Sequence, residues 1–162
     1  MVKRSIASTI KYNEVLTAGQ EQNFNCKLLL KTTNLYYLDT FLTLRRYNPD
    51  SIQGKRGQSS ERHLEKIFHA NWYNYLDIKE DANSPKFNRY SLLQCVYAYL
   101  ESKNKIRLPK DFINELKSAF PKRYYFFHLA SMSNRWFGKY FTFYKRLKSK
   151  EIFNTYASRK AK

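Results

Sequence analysis

Cationic side chains interleaved with aromatic rings are the residues of this chain best suited to chemistry, and that chemistry is the holding of a polyanion. From Lys117 to Lys162 there are twelve basic residues and one acid, Glu151, giving that segment +11 of the chain's total of +17. A lysine-rich face that served only solubility would carry acids for pairing at i,i+4. This one lacks them, so it repels itself until something neutralises it. A phosphate backbone does so by releasing its condensed counterions. The spacing predicts phosphate contacts from Lys122, Arg123, Arg135, Lys139, Lys145, Arg146, Lys148 and Lys150, with Asn134 and Arg135 placed to read bases. A second anchor is expected at Lys55 and Arg56, between Gly54 and Gly57 and just ahead of Ser59-Ser60. Glycines admit close backbone approach, and a helix start offers unpaired N–H donors. Arg45 and Arg46 would extend that patch. The loop lacks the spacing and the Lys-Ser/Thr of a nucleotide-hydrolysing phosphate loop.

The rings admit two readings. In Lys122-Arg123-Tyr124-Tyr125-Phe126-Phe127-His128 cations flank aromatics, as in proteins that stack unpaired bases. Rings at helical spacing also build cores, and 14 Tyr, 12 Phe and 2 Trp make an aromatic core unavoidable here. Phe126, Phe127, Trp136 and Phe137 are expected inside, with Tyr124 and Tyr125 left between core and surface.

Catalytic groupings are sparse. His63, His69 and His128 are badly spaced for zinc; Glu65 and His69 share a helix face, but two ligands make no site. Neither Cys26 nor Cys95 is read as an activated nucleophile, since no Cys-His arrangement is suggested. Both read as small buried hydrophobes, with one Cys26–Cys95 bridge the alternative. Pro49-Asp50 followed by Asp77-Ile78-Lys79 resembles the PD-(D/E)xK nuclease pattern, in which two acids hold a divalent metal and the lysine helps activate water. That resemblance implies carboxylates on a β-hairpin, whereas the residues between them carry the strongest helical period in the chain. No enzyme, cofactor or metal is expected.

Hydrophobic periodicity supplies the elements that must position these groups. Helices are predicted over residues 13–31 (Val15, Leu16, Phe24, Leu28 and Leu29 inward), 34–47 and 59–76. An acidic, proline-containing loop is expected over residues 77–88. Further helices are expected over residues 89–103 (Tyr97 among the inward residues) and 108–120. One or two more, divided near residues 131–134, bury Trp136, Phe137, Tyr140, Phe141, Tyr144 and Leu147. Short strands could occupy residues 5–12 or 124–127. The fold class is all-α, a bundle of about six helices in a single domain over residues 1–162. No run reaches membrane-span length, and no apolar signal region follows Met1. An intracellular protein, cytoplasmic or nucleoid-associated, is expected. Its expected function is non-catalytic binding of DNA or RNA as an accessory subunit of a phage, plasmid, defence or mobile-element system. The alternative is an assembly subunit that docks on an acidic protein within a nucleoprotein complex.

Overall fold

The computed structural model describes residues 4–16, 18–32 and 60–148. Among the described residues seven helices follow in order: α1 (Arg4–Ala7), α2 (Gln20–Lys31), α3 (Ser60–Ala82), α4 (Pro85–Glu101), α5 (Phe112–Ala119), α6 (Tyr125–Phe137) and α7 (Phe141–Leu147). Among the described residues there is no strand. The segments considered for strands are instead α1 with its following turns, and the first turn of α6. The expected helix at 34–47 and the loop holding Lys55 and Arg56 lie outside the described residues.

The centre of the fold is the antiparallel pair α3–α4. The acidic stretch expected as a long loop continues α3, because Asp77, Lys79, Glu80 and Asp81 are compatible with a helix and polarity alone breaks nothing. The turn is only Asn83-Ser84, with Asn83 at φ 40°. Ser84 caps α4 by accepting from the Phe87 N–H, and Pro85 occupies the first helical turn. Proline fits there because its missing N–H would have no helical partner. A connection this short forces neighbouring helices to run antiparallel.

Aromatic rings fill the space between α3, α5 and α6. Phe112 is fully buried, with its ring centroid 5.4 Å from Phe68, 5.5 Å from Trp72 and 6.0 Å from Phe127. Leu92, Leu93, Val96 and Leu100 of α4 complete the core, and Tyr144 and Leu147 of α7 close it. Cys95 is buried and its thiol donates weakly to the Phe68 carbonyl; Cys26 and Cys95 are both free, so no bridge links them. Burial pushes the Cys95 thiol well above the ordinary range.

The N-terminal part is attached through α3. The helix expected from residue 13 starts only at Gln20. Gly19 stands at φ 78°, and a Cβ there would meet Ala70 Cβ at 3.1 Å. Leu16 and Leu28 are buried as expected, whereas Val15 and Leu29 are exposed. Asp77 Oδ2 accepts from Asn13 Nδ2 (3.0 Å) and Asn23 Nδ2 (2.9 Å), and pairs with Lys27 Nζ (2.7 Å). Farther along, Glu115 of α5 accepts from Tyr75 Oη and pairs with Lys79 Nζ, each at 2.5 Å. Desolvation pushes both carboxyls up, but hydrogen bonds to Lys27, Asn23 and Asn13, and to Lys79 and Tyr75, outweigh it and hold both below their ordinary values.

Two outcomes are expected. Phe112→Ala should cost about 3–5 kcal/mol of unfolding free energy in urea titrations, because three rings lose a common neighbour. Depressed carboxyl pKa values add stability that is complete above the unfolded-state values and is lost as pH falls through the folded ones. Thermal midpoints should therefore fall once pH drops below about 4, while remaining level from neutral pH down to about 5.

Candidate functional site

Helix α6 buries Phe127, Ala130 and Asn134 along one side. Phe127 is held by Phe112 and Tyr99, and Asn134 donates its Nδ2 to the Leu100 carbonyl at 2.6 Å and to Asn104 Oδ1 at 3.3 Å. These contacts fix the rotation of the helix. The opposite side, at steps of four, three and four residues, is Tyr125, Leu129, Met132 and Trp136. It is 46%, 39%, 50% and 69% exposed. Asn134, expected to read bases, is committed to the interior instead.

The break in this region differs from the expected one and changes what faces outward. Residues 131–134 are continuous helix, and α6 stops at Gly138, which takes φ 64°. Such a left-handed C-cap favours glycine because a Cβ would clash with its own backbone. Ser133 Oγ donates to the Lys139 carbonyl, tightening the turn. Helix α7 then folds back along α6. Tyr144 and Leu147 enter the core as expected, and Tyr140 is partly buried. Trp136, Phe137 and Phe141, expected inside, are 69%, 69% and 60% exposed. One unbroken helix would have aligned them with Tyr144; the turn at Gly138 swings them out of that stripe. A hollow of about 620 Å³ lies at this turn, walled by Phe137, Tyr140 and Phe141 with Lys139 at its side.

Exposed cations flank both ends of α6. Lys122 and Arg123 sit exposed in the turn before α6, and Arg135 and Lys139 sit exposed at its far end, about 18 Å along the axis. The expected single face across residues 135–150 is therefore split between two helices. Helix α7 rejoins the two ends. Lys145 Nζ lies 4.5 Å from the Phe141 ring centroid, and the Arg146 guanidinium lies 5.8 Å from that of Phe126, at the end of α6 that carries Lys122 and Arg123. Lys117 packs over Tyr124 at 5.6 Å. Lys148 is partly buried, and desolvation lowers its ammonium below the ordinary lysine value. An acid also reaches this surface: Glu101 of α4 accepts from Tyr140 Oη. Lys55, Arg56 and Lys150 lie outside the described residues.

Asp77 and Lys79 stand on α3, engaged by Lys27 and by Glu115 respectively, and Ile78 between them is buried; Asp50 lies outside the described residues. Glu65 and His69 approach to 3.8 Å, and among the described residues no three potential ligands cluster for a metal. The outward rings were legible in one local signal, Phe137-Gly138-Lys139, since a glycine just past the last periodic residue marks a helix end.

No protein-family model, curated protein or solved structure matches this chain. If the outward rings are free of the core, Trp136→Ala and Phe141→Ala should each change unfolding free energy by no more than about 0.5 kcal/mol. Leu147→Ala, at a fully buried position of α7, should cost about 2–5 kcal/mol in the same denaturant titration.

Proposed function

We propose that this chain is a nucleic-acid-binding protein that acts without catalysis, holding the phosphate backbone along the α6–α7 pair. One observation carries the reading: no acid occurs in sequence between Glu115 and Glu151, and exposed cations of that span stand over its rings, Lys117 over Tyr124, Lys145 over Phe141 and Arg146 over Phe126. Lys122, Arg123, Arg135, Lys139, Lys145 and Arg146 contact phosphates. Lys148, partly buried, and Lys55, Arg56 and Lys150 extend the set on sequence grounds. Each phosphate neutralised releases counterions, so affinity should fall steeply with salt. The role is that of an accessory subunit in a nucleoprotein system, and no membrane partner is proposed. No helix among the described residues is long and apolar enough to cross a membrane.

A second reading, an assembly subunit docking on an acidic protein, draws on Leu129 and Met132. These aliphatic members of the exposed α6 stripe suit a partner helix better than a base. Purified protein that elutes free of nucleic acid and binds only once a protein partner is added would favour it.

The test is affinity for labelled oligonucleotides across salt concentrations. The wild type should give a slope of log K against log[salt] steeper than about −3, and replacing Lys139 and Lys145 together by alanine should flatten it by about 1.4–1.8. A slope near zero removes the proposal.

A further inference from the structure

We infer that the α6–α7 surface takes single-stranded nucleic acid, with unpaired bases stacking on Trp136, Phe137 and Phe141 while the neighbouring cations hold the phosphates between them. The inference rests on the nucleic-acid reading and narrows it to a substrate class.

An aromatic ring gains from a base only where the base shows its face, and in a duplex those faces are covered by neighbouring pairs. Duplex readers instead place hydrogen-bonding side chains at base edges in the major groove. The outward side of α6 has the wrong inventory for that, because Asn134 is turned inward and the exposed line is Tyr125, Leu129, Met132 and Trp136. Rings can enter a duplex as wedges, but that unstacks and kinks it at a cost. An unpaired strand incurs no such cost. The three most exposed aromatic side chains among the described residues are Trp136, Phe137 and Phe141, and they meet at one turn. Trp136 and Phe137 stand 6.4 Å apart at 79°, so their faces point in different directions and serve successive bases rather than one.

Charge accompanies each ring. Arg135 and Lys139 bracket Trp136 and Phe137 in sequence, and Lys145 stands over Phe141 at 4.5 Å. A base laid against Phe141 would bring its own phosphate to that ammonium. The hollow walled by Phe137, Tyr140 and Phe141 gives a base an apolar seat with Lys139 at its rim. Positive charge and ring faces together select a polyanion with open π-surfaces, a description that single-stranded DNA and RNA share.

The experiment compares full-length protein binding to labelled single strands of about 15 nucleotides, DNA and RNA, with binding to a duplex of equal length. The wild type should prefer single strands by at least about tenfold. Trp136→Ala with Phe141→Ala should weaken single-strand affinity by at least about thirtyfold, the equivalent of two lost stacks. Duplex affinity and the salt slope should stay within about twofold of wild type. Trp136→Phe should keep the affinity but remove the quenching of tryptophan fluorescence on binding, because Trp72 is buried in the core. Equal loss for duplex and single strand, or no loss for single strand, overturns the stacking inference. If the steep salt slope persists, the phosphate reading stands without it; a flat wild-type response overturns both.

Discussion

The insertion of Phe112 among Phe68, Trp72 and Phe127 is the contact on which the remaining architecture depends. It joins α3, α5 and α6 through rings, whose flat, stiff shapes tolerate few arrangements. Fixing Phe127 fixes the rotation of α6, and Asn134, bonded to the Leu100 carbonyl, fixes it again about two turns later. A helix held at two points of one side has no choice about its other side. The outward line from Tyr125 to Trp136 is thus a consequence of the core.

Burying Trp136, Phe137 or Phe141 would each gain about 1.5–3 kcal/mol relative to leaving it in water. Leaving three at one turn is a cost that packing within the described chain does not recover, and contiguous exposed apolar surface of this kind marks contact sites. The cations change what kind of contact is suitable. Lys145 over Phe141 and Arg146 over Phe126 are cation–π arrangements, each contributing about 0.5–1 kcal/mol at exposed positions. They hold long side chains near the rings without neutralising the charge, so the ammonium and guanidinium donors can still accept an anion. An uncharged partner would leave that charge uncompensated.

The fold was largely legible in the amino-acid pattern. Stripes such as Leu64-Phe68-Trp72-Tyr75 and Phe112-Leu116-Phe120 recur at steps of three or four residues and announce buried helix faces, and Pro109 and Pro121 punctuate them. Two misreadings share a cause. The acidic stretch after Leu76 looked like a loop because it is polar, yet α3 runs through it, and the true break was written in Asn83-Ser84-Pro85. Likewise α6 was divided at polar residues 131–134 while Gly138, the actual terminator, went unused. Polarity reports exposure; capping chemistry reports ends. The second misreading concealed the candidate site, because a helix continued through Gly138 places Trp136 and Phe137 in the core stripe. No local signal could show that Asn134 would be buried, since its acceptors Leu100 and Asn104 are 34 and 30 residues away in sequence.

Several of the acids are committed to contacts within the fold. Asp77 is spent on Lys27, Asn13 and Asn23, Glu115 on Lys79 and Tyr75, Glu61 on Lys105, and Glu101 on Tyr140. Carboxylates thus stand where separate elements must be joined, and most of the cations they meet belong to α2, α3 and the segment after α4. Among the described residues no ion pair joins Arg135, Lys139, Lys145 or Arg146 to a carboxylate. Adding acids beside these cations would relieve their mutual repulsion at little cost to the core, since all four are exposed. A surface selected only for solubility gains from such mixing. One selected to meet an external polyanion loses by it, because every internal pair removes a counterion that binding would have released. On the nucleic-acid reading proposed above, the absence of such pairs at Arg135, Lys139, Lys145 and Arg146 is what the second requirement predicts.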